Sequence, residues 1–167
     1  MHKGPLDDQC FNGIQFDVIV WVEVIEHINH PHRDLAVINR LLRPGGLLFV
    51  TTPNFNSIER RWLGEKFNVI DWPEHLTYYT PKTLRRVLAS EEFSKKKITT
   101  TGISFSRLKS SLGQQAAPTS AAASADESFR SAAERNFLLK YVKWQINVFL
   151  NLTRTGLSMK GWFEKKS

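Results

Sequence analysis

Three residues in the stretch FDVIVWVEVIEH, Phe16 to His27, carry most of the chemistry in this sequence: Glu23, Glu26 and His27. Their spacing of i, i+3 and i+4 would place two carboxylates and one imidazole on a single helical face. The apolar run Val18 to Val22 just before them reads as a buried strand, rich in β-branched and aromatic residues. In open α/β sheets, ligands bind at the carboxyl ends of such strands. His75, after a second apolar strand, could bring another imidazole to the same edge. Such a set could hold a divalent ion, with Mg²⁺ ahead of Mn²⁺, Fe²⁺ or Zn²⁺. Alternatively, His27 or His75 could act as a general base. A third reading is structural, with Glu26 and His27 capping a turn and bonding backbone.

The elements needed to position these groups are legible around them. Asn29-His30-Pro31 is a break, and from Arg33 to Arg43 the residues Leu35, Ile38, Leu41 and Leu42 recur at helical spacing. Pro44-Gly45-Gly46 is expected to stop that helix. Leu47 to Thr52 is a second apolar strand. Strand, helix, tight turn and strand make a βαβ unit, whose crossover is right-handed and whose strands are parallel. Residues 55–79 read as irregular. Thr80-Pro81 is a helix start, an N-cap followed by an N1 proline, with Leu84, Val87 and Leu88 facing inward. Ile98 to Phe105 and Leu157 to Glu164 read as strands, separated by a Ser/Ala-rich insertion at about 110–133 and a helix from Phe137 to Leu152.

That last helix has an unusually wide apolar arc, its polar stripe being Lys140, Lys143, Asn147 and Asn151. At about 1.5 Å per residue it is too short for a hydrocarbon core of about 30 Å. The arc favours burial in the domain or against a second subunit, with peripheral membrane contact through 137–152 as the alternative.

Charge is unevenly distributed. Residues 1–92 hold 10 Lys/Arg against 12 Asp/Glu, whereas residues 93–167 hold 13 against 4. The basic half reads first as a solvated face; a nucleic-acid partner is compatible with it but not favoured, because no aromatic-basic binding motif accompanies it. The single cysteine, Cys10, excludes an internal disulfide, and the first ten residues contain no apolar signal-peptide core. The expected location is cytoplasmic, with membrane association as the alternative.

Three pieces in this order, FDVIVWVEVIEH, LLRPGGLLFVTTPN and PEHLTYYTPKTLRRVL, resemble the C-terminal portion of class I S-adenosylmethionine-dependent methyltransferases over about residues 4–92. The resemblance implies an α/β fold: a truncated Rossmann-like sheet of strands four to seven with flanking helices, the last two strands antiparallel. Residues 1–167 would be the C-terminal part of a single such domain. The family's glycine-rich loop is missing, since none of the nine glycines forms a G-x-G. The expectation is therefore a truncated chain, binding cofactor weakly by itself and prone to dimerise through an exposed strand edge.

By resemblance, S-adenosyl-L-methionine would meet Leu6, Asp7 and Asp8 on its adenine side and Trp21, Val22 and Glu23 at the end of the first strand. The E-x-x-E-H pattern is similar to two branches of the family, the ubiquinone-biosynthesis O-methyltransferases and the small-RNA 2′-O-methyltransferases. It implies metal ligands at Glu23, Glu26, His27 and His75. The activity implied is O-methylation of a small-molecule acceptor, with RNA ribose methylation or an inactive interaction module as alternatives. Trp72, Tyr78 and Tyr79 are expected to pack rather than cage a substrate, and His30 and His32 to lie on the surface.

Overall fold

The computed structural model describes residues 6–7, 10–11, 13–67, 70, 73–103 and 137–166. Four strands form one mixed sheet: β1 (Phe16–Val22), β2 (Leu42–Pro53), β3 (Phe93–Thr101) and β4 (Ser158–Lys165), in the spatial order β1-β2-β4-β3. β1 and β2 are parallel, and β4 runs antiparallel to both β2 and β3. β3 therefore points the same way as β1 and β2, so the carboxyl ends of all three lie along one edge. The expected parallel βαβ unit and antiparallel closing pair are both present.

Helix α1 (Pro31–Leu41) connects β1 to β2, and α2 (Ile58–Leu63) and α3 (Pro81–Ser90) follow β2. The core lies on one face of the sheet. Leu35 and Ile38 of α1 and Leu84 and Leu88 of α3 pack on Leu48, Val50, Met159 and Phe163. The start of α3 is as its sequence implies. The Thr80 hydroxyl accepts from the Thr83 amide, Thr83 returns the bond to the Thr80 amide, and Pro81 occupies the first turn.

Several expectations need correction. Pro44-Gly45-Gly46 does not separate helix from strand. α1 already ends at Leu41, and Pro44 to Gly46 form an irregularity inside β2, where the partner of Phe16 is Leu42 and that of Val18 is Leu47. Gly45 takes φ +72°, a left-handed conformation that favours glycine. β1 is not buried on both faces. Ile19 and Trp21 pack toward the core, but Val18, Val20 and Val22 are exposed, because no described helix covers that side of the sheet. β1 is also an edge strand among the described residues, as expected. β3 begins at Phe93, five residues before its expected start.

The largest correction concerns helix α4 (Phe137–Thr153), which is not packed deeply in the domain. Leu150 is buried, whereas Phe137, Leu138, Tyr141, Trp144, Phe149 and Leu152 are exposed. The two asparagines of the polar stripe, with Leu150, meet the protein, and most of the apolar arc does not. Asn151 Oδ1 accepts from the Thr100 amide and Asn147 Oδ1 from the Gly102 amide, both at 3.0 Å. Four helical residues rise about 6 Å and two strand residues about 6.6 Å. Asparagines at i and i+4 can therefore reach alternate outward-facing amides of an edge strand, groups that would otherwise be left unpaired. Asp8, Trp72 and the 110–133 insertion lie outside the described residues.

Candidate active site at the carboxyl edge of the sheet

The chain turns sharply where β1 ends. Glu23 adopts φ +49°, its amide donates to the Thr51 carbonyl, and its carboxylate accepts from the Thr51 hydroxyl at 2.7 Å. The EVIEH segment is consequently not an α-helix but a 3-10 turn, Ile25–His27. The left-handed residue breaks the helical face that would have aligned Glu23 with Glu26 and His27. Glu23 faces Thr51, and the group that converges is Glu26, His27 and His75.

Glu26 is 2% exposed. Its Oε2 accepts from the Thr52 hydroxyl at 2.9 Å, while Oε1 has no hydrogen-bond partner and lies 3.9 Å from His27 Nε2. Burial raises the Glu26 pKa above the usual carboxyl value; backbone and Thr52 hydrogen bonds oppose the shift, and Glu23 adds to it. The backbone carbonyl of Glu26 accepts from the amides of Leu76 and Thr77, which pins the loop after β2 beside the turn after β1.

His27 Nδ1 lies 2.6 Å from the Glu74 carbonyl oxygen. A carbonyl only accepts, so Nδ1 carries the hydrogen and the neutral ring keeps its lone pair on Nε2, toward Glu26. The His27 and His75 rings are 4.8 Å apart between centroids, and Tyr78 closes on His75 edge-on. Glu26, Thr52, Pro53, Phe55, His75, Thr77 and Tyr78 line a shallow cleft open to solvent. Tyr79 is buried in the core, as expected, and burial raises its hydroxyl pKa.

One ligand atom from each of Glu26, His27 and His75 lies within 4.8 Å of the others. Ligands at about 2.0–2.2 Å from one ion stand roughly 3–4 Å apart, so binding would draw the three in slightly. An acceptor-only carboxylate oxygen without a partner, and an imidazole whose far nitrogen is held by a carbonyl, are the donor set and second shell that a divalent ion takes.

The other residues expected at the site are placed as follows. Trp21 is half-buried on the core side of β1 and Val22 is exposed on the opposite side. Leu6 packs against the core, and Asp7 closes its own turn with Cys10, whose thiol lies 3.1 Å from its carboxylate. His30 and His32 are exposed, and His32 pairs with Glu91 at 2.8 Å. Sequence reasoning missed Thr51 and Thr52, which orient the two glutamates, and the Glu74 carbonyl. Two adjacent hydroxyls ending an otherwise apolar strand were the available signal for the threonines; nothing local signals a carbonyl.

The methyltransferase-domain family matches residues 3–96 of the chain. The ubiquinone biosynthesis O-methyltransferase of Caulobacter vibrioides is 34% identical over 85 residues, covering 46% of this chain and 32% of that protein. That of Parvibaculum lavamentivorans is 50% identical over 42 residues, covering 25% and 17%. The chain thus spans about a third or less of the curated relatives it matches. An S-adenosylmethionine-dependent methyltransferase structure from Mesorhizobium loti superposes with a TM-score of 0.53 at 12% identity, over 98% of this chain and 68% of that one. That likeness concerns the fold.

Proposed function

Starting from the fact that this chain belongs to the methyltransferase-domain family, we propose that it forms the acceptor-activating edge of an S-adenosylmethionine-dependent O-methyltransferase for a small hydroxylated molecule. One observation carries this reading: Glu26, His27 and His75 converge at the carboxyl edge of the sheet, beside a cleft that Glu26 and His75 line, with the His27 lone pair fixed on Nε2. Identity to ubiquinone biosynthesis O-methyltransferases supports an oxygen acceptor.

A hydroxyl must lose its proton as its oxygen attacks a methyl group. His27 Nε2 accepts that proton, and the Glu74 carbonyl stabilises the imidazolium through the Nδ1 hydrogen. Glu26, poorly solvated and negatively charged when ionised, favours the positive ring beside it. Phe55 and Tyr78 supply apolar walls that exclude water and orient a ring-bearing acceptor.

A divalent ion, when bound, supplies Lewis acidity that lowers the acceptor hydroxyl's pKa. Glu26, His27 and His75 would hold it, leaving positions open for acceptor oxygens. S-adenosylmethionine, when bound, supplies the methyl group on its sulfonium. Glu23 and its neighbours at the end of β1, with Leu6 and Asp7, are the residues this reading assigns to it; the sequence has no G-x-G loop. The free edge and exposed valine face of β1 are where further strands and helices would complete the sheet.

Manganese titration followed by water-proton relaxation tests the ligand set. One site in the wild-type chain, lost in Glu26→Gln and in His75→Ala, is expected. Absence of a site in the wild-type chain would remove the metal and leave His27 as the base. Methyl transfer from labelled S-adenosylmethionine to a catechol tests the reaction. His27→Ala should abolish it; full activity in that variant would overturn the assignment.

A further inference from the structure

Helix α4 is inside out by the usual rule for surface helices. Its asparagines grip the edge of β3, while Phe137, Leu138, Phe149 and Leu152 are 85%, 67%, 58% and 77% exposed. Around the helix, with the axis docked through Asn147 and Asn151, the outward arc runs through Tyr141, Leu152, Gln145, Leu138, Phe149 and Val142, the Gln145 amide donating to the Tyr141 hydroxyl. Lys140 and Lys143 fall on the opposite, Asn-bearing side. Exposure of such an arc to water is unfavourable, and burial of it is favourable.

The direction of the helix places this arc. Going from Asn151 to Asn147 follows β3 from Thr100 to Gly102, so α4 runs antiparallel to β3. The ten residues before Asn147 extend about 15 Å further in that direction. They overhang the carboxyl end of β3, the same end of the sheet that holds the Glu26 cleft. Lys140 and Lys143 lie on this overhanging half and are exposed.

We propose that α4 is a membrane-docking helix that lies in the interface of an anionic bilayer, with its aromatic and aliphatic arc in the acyl boundary. An apolar face of Phe, Leu, Tyr and Val, opposite a lysine-bearing polar face, is the composition of interfacial helices. Charge complementarity selects the occupant. Residues 93–167 carry 13 Lys/Arg against 4 Asp/Glu, and Lys95, Lys97, Lys140, Lys143, Arg154 and Lys160 are all exposed. An anionic leaflet attracts such a surface, whereas a second copy of this basic half repels it. No described helix is long and apolar enough to cross a membrane, so α4 lies on the bilayer rather than through it.

Flotation of the 167-residue chain with phosphatidylglycerol-phosphatidylcholine vesicles tests this. The chain should float with them, and at least tenfold less with phosphatidylcholine alone. Leu138→Gln with Phe149→Gln should abolish flotation. Both side chains are exposed, so folding should persist, which circular dichroism verifies. Lys140→Glu with Lys143→Glu should reduce it and blunt its salt dependence. Failure to float, flotation unaffected by the Leu138 and Phe149 substitutions, or a dimer in sedimentation equilibrium that those substitutions dissolve would each overturn the proposal.

Discussion

Replacing Asn151 by leucine isolates the contact that decides how α4 sits. The substitution keeps side-chain volume close to that of asparagine plus a methyl group and improves helix propensity, but removes the acceptor for the Thr100 amide. Thr100 is 1% exposed, and its hydroxyl donates to the Leu150 carbonyl, so its amide has little access to replacement water. A hydrogen bond removed so that a buried donor is left unpaired costs about 1–3 kcal/mol. The contact is only part-buried, which places the expected loss at about 1–2 kcal/mol. For a chain of 167 residues each kcal/mol shifts Tm by about 2–4 °C, so a fall of roughly 3–6 °C is expected. Asn147→Leu, whose contact with the Gly102 amide is exposed, should cost less than half as much. Native-state hydrogen exchange supplies the local readout. Protection of the Thr100 amide should fall in Asn151→Leu while amides in the middle of β2 change only by the global loss. An unchanged Tm together with unchanged Thr100 protection would refute the idea that the asparagines seal the edge of β3.

Three further outcomes follow from the packing and charge of the fold. Glu26 holds its proton more tightly folded than unfolded, because burial raises its pKa, so its ionisation opposes folding. Wild-type stability contributed by this group therefore falls as pH rises from the ordinary carboxyl range through the raised pKa. In chelator, Glu26→Gln should gain urea resistance over wild type across that window and keep it above, and a constant difference at all pH values would contradict the assignment. Gly156→Ala would place a Cβ 2.4 Å from the Thr101 amide nitrogen and 2.6 Å from the Thr100 carbonyl carbon, both backbone atoms. It should cost about 3 kcal/mol, the upper end for overpacking, and a thermal melt within about 0.5 kcal/mol of wild type would show that the loop gives way freely. Thr80→Ala removes the capping box of α3 and should cost about 1 kcal/mol, with Thr80→Ser retaining most of it in the same denaturation assay.

The sequence by itself determined most of the elements and their order, because their signals are local; helix α2, Ile58–Leu63, lies in the stretch read as irregular. The spacing of Leu35, Ile38 and Leu41, the Thr80-Pro81 start and the β-branched run before Glu23 each depend on neighbours within one or two turns of chain. The inward faces of α1 and α3 followed from the same periodicity, and the positions Leu35, Ile38, Leu84 and Leu88 are in the core. The candidate site was legible as a set of residue types, Glu26, His27 and His75, but not as a geometry. The left-handed turn at Glu23 is held by Thr51, 28 residues away, and it removes Glu23 from the convergent group. The protonated nitrogen of His27 is chosen by the Glu74 carbonyl, 47 residues away, a group every residue carries and no sequence pattern marks.

Helix α4 shows the same limit most clearly. Periodicity assigns the apolar arc inward, since burial of apolar surface dominates folding on average. Only the tertiary structure reveals that β3 is an edge whose outward amides need acceptors, and that the fixed rise of a helix and a strand lets Asn147 and Asn151 supply them. Hydrogen bonds between distant segments decide orientation, and a one-dimensional pattern records only which face is apolar, not what that face will meet.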